Sequence, residues 1–129
     1  MGITTAWEDD TKRVMRYSLD EHWTWEEFFV AKKRANEMMD AVSHKFGVMV
    51  DVSGNATFRS DILPNLRKAL TSTHPNTFCV VIVAPRPYTY TMLRQSFSSL
   101  RFSAVPVEIV SSLEKGQQVM ADRLRDLSI

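Results

Sequence analysis

The side chains that most often carry catalysis or bind metals are few and widely separated in this sequence. Its three histidines show no ligand spacing, and Cys79 is the only cysteine, so neither a Cys/His metal motif nor an intramolecular disulfide is expected. Ser53 precedes a glycine but lies outside any G-x-S-x-G motif, the turn that exposes the nucleophile in many hydrolases. We therefore predict that the chain is not an enzyme and that it holds no metal and no cofactor.

Charge is distributed unevenly along the chain, although the net charge is only +1. Residues 1–58 contain ten acidic and seven basic side chains, whereas residues 59–107 contain six basic side chains and one acid, Asp61. The six are Arg59, Arg67, Lys68, Arg86, Arg94 and Arg101. This asymmetry is typical of a surface for an anionic ligand or an acidic partner, and also of ordinary solvated helix faces. Nucleic acid is not predicted as a partner, because the domain is not strongly basic and lacks an interleaved aromatic motif.

Hydrophobic periodicity divides the chain into alternating strands and helices. Strands are predicted at 4–8, 14–19, 46–52, 78–84 and 107–110. The first two surround an acidic turn and predict an antiparallel hairpin, and the fourth is apolar throughout, as in a central strand covered on both faces. Thr24 and Glu27 form a capping box before the first helix, and Pro64 places the start of the next helix between Ser60 and Leu63. The order β-β-α-β-α-β-α-β-α predicts parallel pairing with right-handed crossovers.

The length of 129 residues suits a single domain spanning 1–129. A chain of this size buries enough surface to fold without a metal or disulfide. The N-terminus does not resemble a signal peptide, and the longest apolar run, 78–85, is too short to cross a bilayer. We expect a cytoplasmic protein without a membrane span.

The predicted sheet also indicates where a ligand would bind. In an open α/β sheet, ligands gather beyond the carboxyl ends of the parallel strands. Arg59 and Arg86 are expected there on either side of an anion at a helix N-terminus, with Trp23 and Tyr88 as an apolar wall. A nucleotide is not specifically indicated, because the sequence has no glycine-rich phosphate loop. A small anionic or lipidic ligand is one predicted occupant; solvated arginines and partly buried aromatics are the alternative interpretation.

The element order and the length together resemble the STAS domain, which sulphate transporters share with bacterial anti-sigma-factor antagonists. The resemblance covers almost the whole chain, and its best local match runs from Val48 to Leu63. In antagonist-type members an apolar strand leads into a short loop, and an Asp-Ser-Ser-Gly motif opens the next helix. The second serine of that motif is the phosphoacceptor in that group.

This chain departs from the motif at the positions that matter most for switching. Arg59 stands in place of the acid, Ser60 matches the first serine, Asp61 replaces the phosphoacceptor and Ile62 replaces the glycine. Asp61 is then either a permanently charged counterpart of the phosphorylated state or a simple helix cap, since both suit an acid at a helix N-terminus. The departures argue against kinase-driven switching at the usual position.

The resemblance implies an α/β STAS-like sandwich with a mixed sheet of about five strands and helices on one main face. It also implies a non-enzymatic regulatory module that contacts a protein, such as a regulatory kinase or an anti-sigma-like protein. The predicted partner-contact or switch residues are Ser53, Thr57, Arg59, Ser60 and Asp61. A carrier or sensor that holds a small ligand between Trp23, Arg59, Arg86 and Tyr88 is the alternative function, and phosphorylation of Ser60, Ser53 or Thr57 is a third hypothesis. An exposed hairpin edge also favours a homodimer.

Overall fold

A computed structural model describes residues 2–54, 62–98 and 105–127. Strands and helices alternate along these ranges. They are β1 (Ile3–Trp7), β2 (Val14–Asp20), α1 (Trp25–Asp40), β3 (Phe46–Gly54), α2 (Ile62–Thr71), β4 (Thr77–Val83), α3 (Pro87–Ser98), β5 (Val107–Val110) and α4 (Leu113–Leu127). The predicted element order is confirmed, and the strand bounds agree to within one residue except at the end of β3, which extends two residues further than predicted.

The strands form one mixed sheet in the order β1-β2-β3-β4-β5. β1 pairs antiparallel with β2, and the other neighbouring pairs are parallel. β4 is the central apolar strand that the sequence predicts, since six of its seven residues are buried. It can be buried on both sides because its side chains alternate between two faces that are each covered by helices.

The helices cover both faces of the sheet, and they do so unequally. α1, α2 and α3 pack on one face, in a core that includes Phe28, Leu66 and Leu93. α4 packs on the opposite face, where Met120 meets Val81 and other residues of β3 and β4. The prediction of one main helical face therefore holds for three helices and not for the fourth. The physical reason is that the apolar residues of β3 and β4 on the second face also have to be removed from water.

Two glycines allow α4 to lie close to the sheet. A Cβ atom at Gly116 of α4 would stand 2.8 Å from Cγ2 of Val83, and one at Gly47 of β3 would collide with Sδ of Met120. A larger side chain at Gly116 would push the helix away from Val83, whereas one at Gly47 would require the flexible end of Met120 to move. In the described ranges, no helix combines the length and the apolar character needed to cross a bilayer.

Candidate functional site

The parallel strands β2 to β5 end at one side of the sheet, called here the carboxyl edge. Each of these strands is followed by a helix that begins at this edge, namely α1, α2, α3 and α4. Helix N-termini carry partial positive charge and free N–H groups. The candidate ligand-binding and switch residues are predicted to lie at this carboxyl edge.

Only one of the predicted switch residues falls in the described ranges. Ser53 belongs to β3, close to its carboxyl end. Thr57, Arg59, Ser60 and Asp61 lie outside the described residues, so the roles given to them stay predictions. The helix that follows them begins within the predicted interval of 60–63.

Trp23 is a core residue of the carboxyl edge, with 8% of its surface exposed. Its ring packs edge-on against Trp25, with centroids 4.7 Å apart, and against Phe28 at 6.5 Å. Phe28 in turn stacks on Tyr17 of β2 at 5.4 Å. Aromatic pairs of this kind add about 0.5–1.5 kcal/mol each beyond their area burial. Trp23 therefore anchors the start of α1 on the sheet and offers little surface to a ligand.

The predicted capping box is present in a modified form. The backbone N–H of Glu27 donates to Oγ1 of Thr24 at 3.1 Å, as predicted. The Glu27 carboxylate does not return to the Thr24 N–H; it accepts from the Thr24 hydroxyl at 3.3 Å and from the backbone N–H of Gly2 at 3.1 Å. The second contact joins α1 to the residue before β1, because Gly2 lies directly against the backbone of Trp23.

Residues 85–88 form an exposed corner between β4 and α3. Pro87 is the first residue of α3, a position where its missing N–H costs nothing and its fixed φ suits the helix. The carbonyl of Arg86 accepts from the Tyr90 N–H at 2.9 Å and closes the first turn. Arg86 is exposed, and Tyr88 is 80% exposed. The corner is thus fixed by backbone geometry and presents a tyrosine next to an arginine.

Further exposed basic side chains lie on α2 and α3. α2 and α3 pack on the same face of the sheet, and residues 62–98 contain no Asp or Glu. The basic surface is defined here as Tyr88 with four exposed basic side chains, Arg67, Lys68, Arg86 and Arg94. Two local contacts orient its charges: Lys68 lies 4.5 Å from the centroid of the Phe29 ring, and Arg94 donates to the Tyr90 hydroxyl at 2.9 Å.

A cavity of about 60 Å³ lies between α1, α2 and the sheet, away from the carboxyl edge. Its walls are mostly apolar. Lys32 lines the cavity, and its ammonium group donates to the carbonyl of Ser72 at 2.5 Å. Burial lowers the pKa of Lys32. Oγ1 of Thr77 is buried and has no hydrogen-bond partner among the described residues. A cavity of this size can hold a few water molecules or the end of a small ligand.

His74 and Asp40 form an acid–histidine pair beside this cavity. The Asn76 backbone N–H donates to Nδ1 of His74 at 3.1 Å, which places the imidazole proton on Nε2. Nε2 then donates to Oδ1 of Asp40 at 2.8 Å. Both ring nitrogens are occupied, so His74 has no lone pair available to act as a general base on a ligand. The pair ties the loop before β4 to the last residue of α1.

Sequence reasoning missed a chain of charges on the face of the sheet that carries α4. Arg16 of β2 donates to Oδ2 of Asp51 at 2.6 Å and to Oε1 of Glu8 at 3.3 Å. Asp51 is 4% exposed. Burial by itself would lower the pKa of Arg16, but Asp51 and Glu8 outweigh it and raise that pKa. The position of Asp51 inside the apolar strand β3 could have indicated this ion pair, because a buried carboxylate requires a partner.

Comparison with known proteins gives no relative for this chain. No protein-family model matches it, and no significant match was found among curated proteins or among solved structures.

Proposed function

We propose that the protein is a non-enzymatic regulatory module that binds an acidic partner protein through the basic surface. The observation that carries this proposal is the exposure of Tyr88 beside Arg86 on a corner whose backbone is fixed. Tyrosine and arginine are enriched among the residues that contribute most of the free energy of protein association. The absence of acids from residues 62–98 favours an acidic partner, because complementary charge speeds encounter and fixes orientation.

The resemblance to STAS domains supports the same type of function. It suggests a regulatory kinase or an anti-sigma-like protein as the partner. In this proposal the segment that precedes α2 in the sequence, with Ser53, Thr57, Arg59, Ser60 and Asp61, contributes to the contact, and Asp61 supplies a constant negative charge. Asp61→Asn would then change partner affinity without any kinase. The competing hypothesis is that this segment is phosphorylated. It is tested by measuring the intact mass of the protein after incubation with a regulatory kinase.

The central experiment identifies the partner from the basic surface itself. A photoreactive amino acid at position 88 is cross-linked in the cells that make the protein, and the product is identified by mass spectrometry. The dissociation constant of the purified partner is then measured with variants. We expect Tyr88→Ala to weaken binding about tenfold or more, equivalent to about 1.4 kcal/mol. Arg86→Gln should weaken it too and reduce its dependence on salt.

Leu127→Ala is the matched control, since Leu127 is an exposed apolar residue on α4. It should bind the partner as the wild type does. The proposal fails if position 88 yields no specific product, or if the Leu127 and Tyr88 variants lose the same affinity.

The second candidate function is a carrier or sensor of a small anionic or lipidic ligand, and the cavity between α1 and α2 favours it. Lys32 supplies a partly buried positive charge and Thr77 an unused hydroxyl, beside apolar walls. This pairing suits a short amphipathic acid. The location differs from the ligand site expected at the carboxyl edge, which Trp23 and Tyr88 would have shared.

Short-chain carboxylic acids are the probes for this function, with thermal unfolding and native mass spectrometry as the measurements. An acid present at a hundred times its dissociation constant should add about 2.7 kcal/mol to the free energy of unfolding. Lys32→Met should remove the effect, and Lys33→Met, on the exposed side of α1, should keep it. The absence of any ligand-induced shift in the wild type would rule this function out.

A further inference from the structure

β1 forms one end of the five-stranded sheet. The backbone N–H of Glu8 donates to the carbonyl of Val14, and the backbone N–H of Asp20 donates to the carbonyl of Gly2, each at 2.9 Å. In an antiparallel ladder these hydrogen-bonded pairs alternate with pairs whose backbone groups point outward. The even-numbered residues of β1 therefore bond to β2, while the N–H and C=O groups of the odd-numbered residues 3, 5 and 7 point away from it. Among the described residues, none hydrogen-bonds to these outward groups.

The outer side of β1 lacks the features that usually protect an edge strand. The register with β2 runs without a shift from Ile3 to Trp7, and the strand contains no proline, lysine or other charged residue. Proteins normally block such edges with charges, prolines or bulges, because an unprotected edge can pair with another strand.

α1 presents a matching surface above this edge. A groove of about 430 Å³ runs between Ile3 and the outer side of α1. Glu26, Val30 and Arg34 are all exposed and line it. Their spacing of four residues places them on one line along the helix. Val30 is 58% exposed, with an acid one turn before it and a base one turn after it. These three residues, called here the α1 stripe, therefore have complementary charges when a second copy of the stripe is placed against them in the opposite direction, centred on Val30.

The strand and the helix share a common centre. β1 runs antiparallel to β2. α1 also runs antiparallel to β2, because it connects the parallel strands β2 and β3. The Glu27 carboxylate leans toward the N-terminus of α1 and accepts from the backbone N–H of Gly2. A strand rises about 3.3 Å per residue and a helix about 1.5 Å. Three residues along β1 thus correspond to roughly six or seven along α1, which brings Thr5 level with the region of Val30. A single two-fold axis can pass both residues.

We propose that the protein forms a symmetric homodimer through β1 and α1. β1 pairs antiparallel with β1 of a second copy around Thr5, so that Ile3 of each copy lies opposite Trp7 of the other. The two five-stranded sheets become continuous. α1 packs against its counterpart at Val30, and Glu26 of each copy meets Arg34 of the other. An interface that uses the same patch twice is typical of two-fold dimers. It does not depend on the proposed partner surface on α2 and α3.

The decisive experiment is a charge exchange on the full chain, read by sedimentation velocity and light scattering over a concentration series. Glu26 and Arg34 of one copy are about 12 Å apart along the helix, so they cannot form an ion pair within one chain. We expect a wild-type dimer, a dimer dissociation constant at least about tenfold higher for Arg34→Glu, and recovery in Glu26→Arg/Arg34→Glu. Lys33→Glu, at an exposed position beside the stripe, should stay close to the wild type.

A second measurement tests the strand register. Residues directly opposite in a hydrogen-bonded antiparallel pair have Cα atoms about 5.5 Å apart, which is within disulfide range. Thr5→Cys should therefore form a disulfide-linked dimer under mild oxidation, and Thr4→Cys should not. A wild-type chain that remains monomeric at about 1 mM overturns the proposal. So does a dimer that is insensitive to Arg34→Glu, or one that Thr4→Cys cross-links as well as Thr5→Cys does.

Discussion

The two faces of the sheet are built on different principles. The face under α1, α2 and α3 is a continuous apolar core with a cluster of stacked and edge-on aromatic rings. On the opposite face the buried apolar residues belong to β3, β4 and α4. Beyond α4, its β2 part carries Arg16, which binds the buried Asp51. The first face thus provides most of the hydrophobic stabilisation, and the second combines one docked helix with charge pairing.

The largest test of this difference is the removal of a large side chain from each face. Phe46 is fully buried on the aromatic face, with its ring edge-on to Trp7 at 5.6 Å. We expect Phe46→Ala to lower the free energy of unfolding by about 3–5 kcal/mol, through lost transfer free energy and a cavity that cannot collapse. Met120→Ala on the α4 face should cost less, toward the low end of about 2–5 kcal/mol.

Urea unfolding followed by tryptophan fluorescence and by circular dichroism measures both variants. Val30→Ala serves as the control at low protein concentration, because Val30 is exposed. An equal or greater loss in the Met120 variant would contradict the view that the α1–α3 face dominates stability.

The sequence was informative where a local pattern determines local structure. The hairpin, the apolar strand β4 and the Thr24 cap could all be predicted, because alternation and capping involve residues close in the chain. The side of the sheet that α4 occupies could not. An amphipathic pattern shows that a helix has an apolar stripe, but it does not say which of two apolar sheet faces the stripe covers.

The candidate sites follow the same division. Exposure of Arg86 and Tyr88 could be anticipated from the prolines around them, which end a strand and open a helix. The burial of Trp23 and the pairing of Arg16 with Asp51 depend on contacts between residues far apart in sequence; Arg16 and Asp51 are separated by 35 positions. Only the requirement that a buried acid be paired pointed to such a contact, and it did not identify the partner.

A medium effect is expected from Cys79, which lies under α4. Cys79 is 1% exposed, and burial raises the pKa of its thiol from 9.0 to about 11, a shift that Arg123 opposes and Glu108 supports. Between about pH 9 and pH 11 the thiol therefore stays protonated in the folded state, whereas it loses its proton in the unfolded chain. The stabilisation is complete below about pH 9 and is lost as the pH rises toward 11, by about 1–2 kcal/mol at pH 10.5.

Urea unfolding at about pH 8 and pH 10.5 measures this loss, and Cys79→Ala isolates the contribution of the thiol. Burial also raises the pKa of Tyr17 on the other face, so the variant should retain the part of the alkaline loss that begins near pH 10. An identical pH dependence in the wild type and the variant would mean that α4 does not shield the thiol from water.

The smallest effect is expected from Glu8, the outer member of the charge chain. Its side chain is 21% exposed and lies 3.3 Å from Arg16, which stays bound to Asp51 when Glu8 is neutralised. Glu8→Gln should cost no more than about 1 kcal/mol, because partly solvated ion pairs contribute little. Glu108→Gln is the matched control, since Glu108 forms a more exposed pair with Arg123 at 3.1 Å, and it should cost less still. A loss above about 2 kcal/mol in the Glu8 variant, measured by urea unfolding, would show that the charged half of this face stabilises the fold as strongly as the docked helix does.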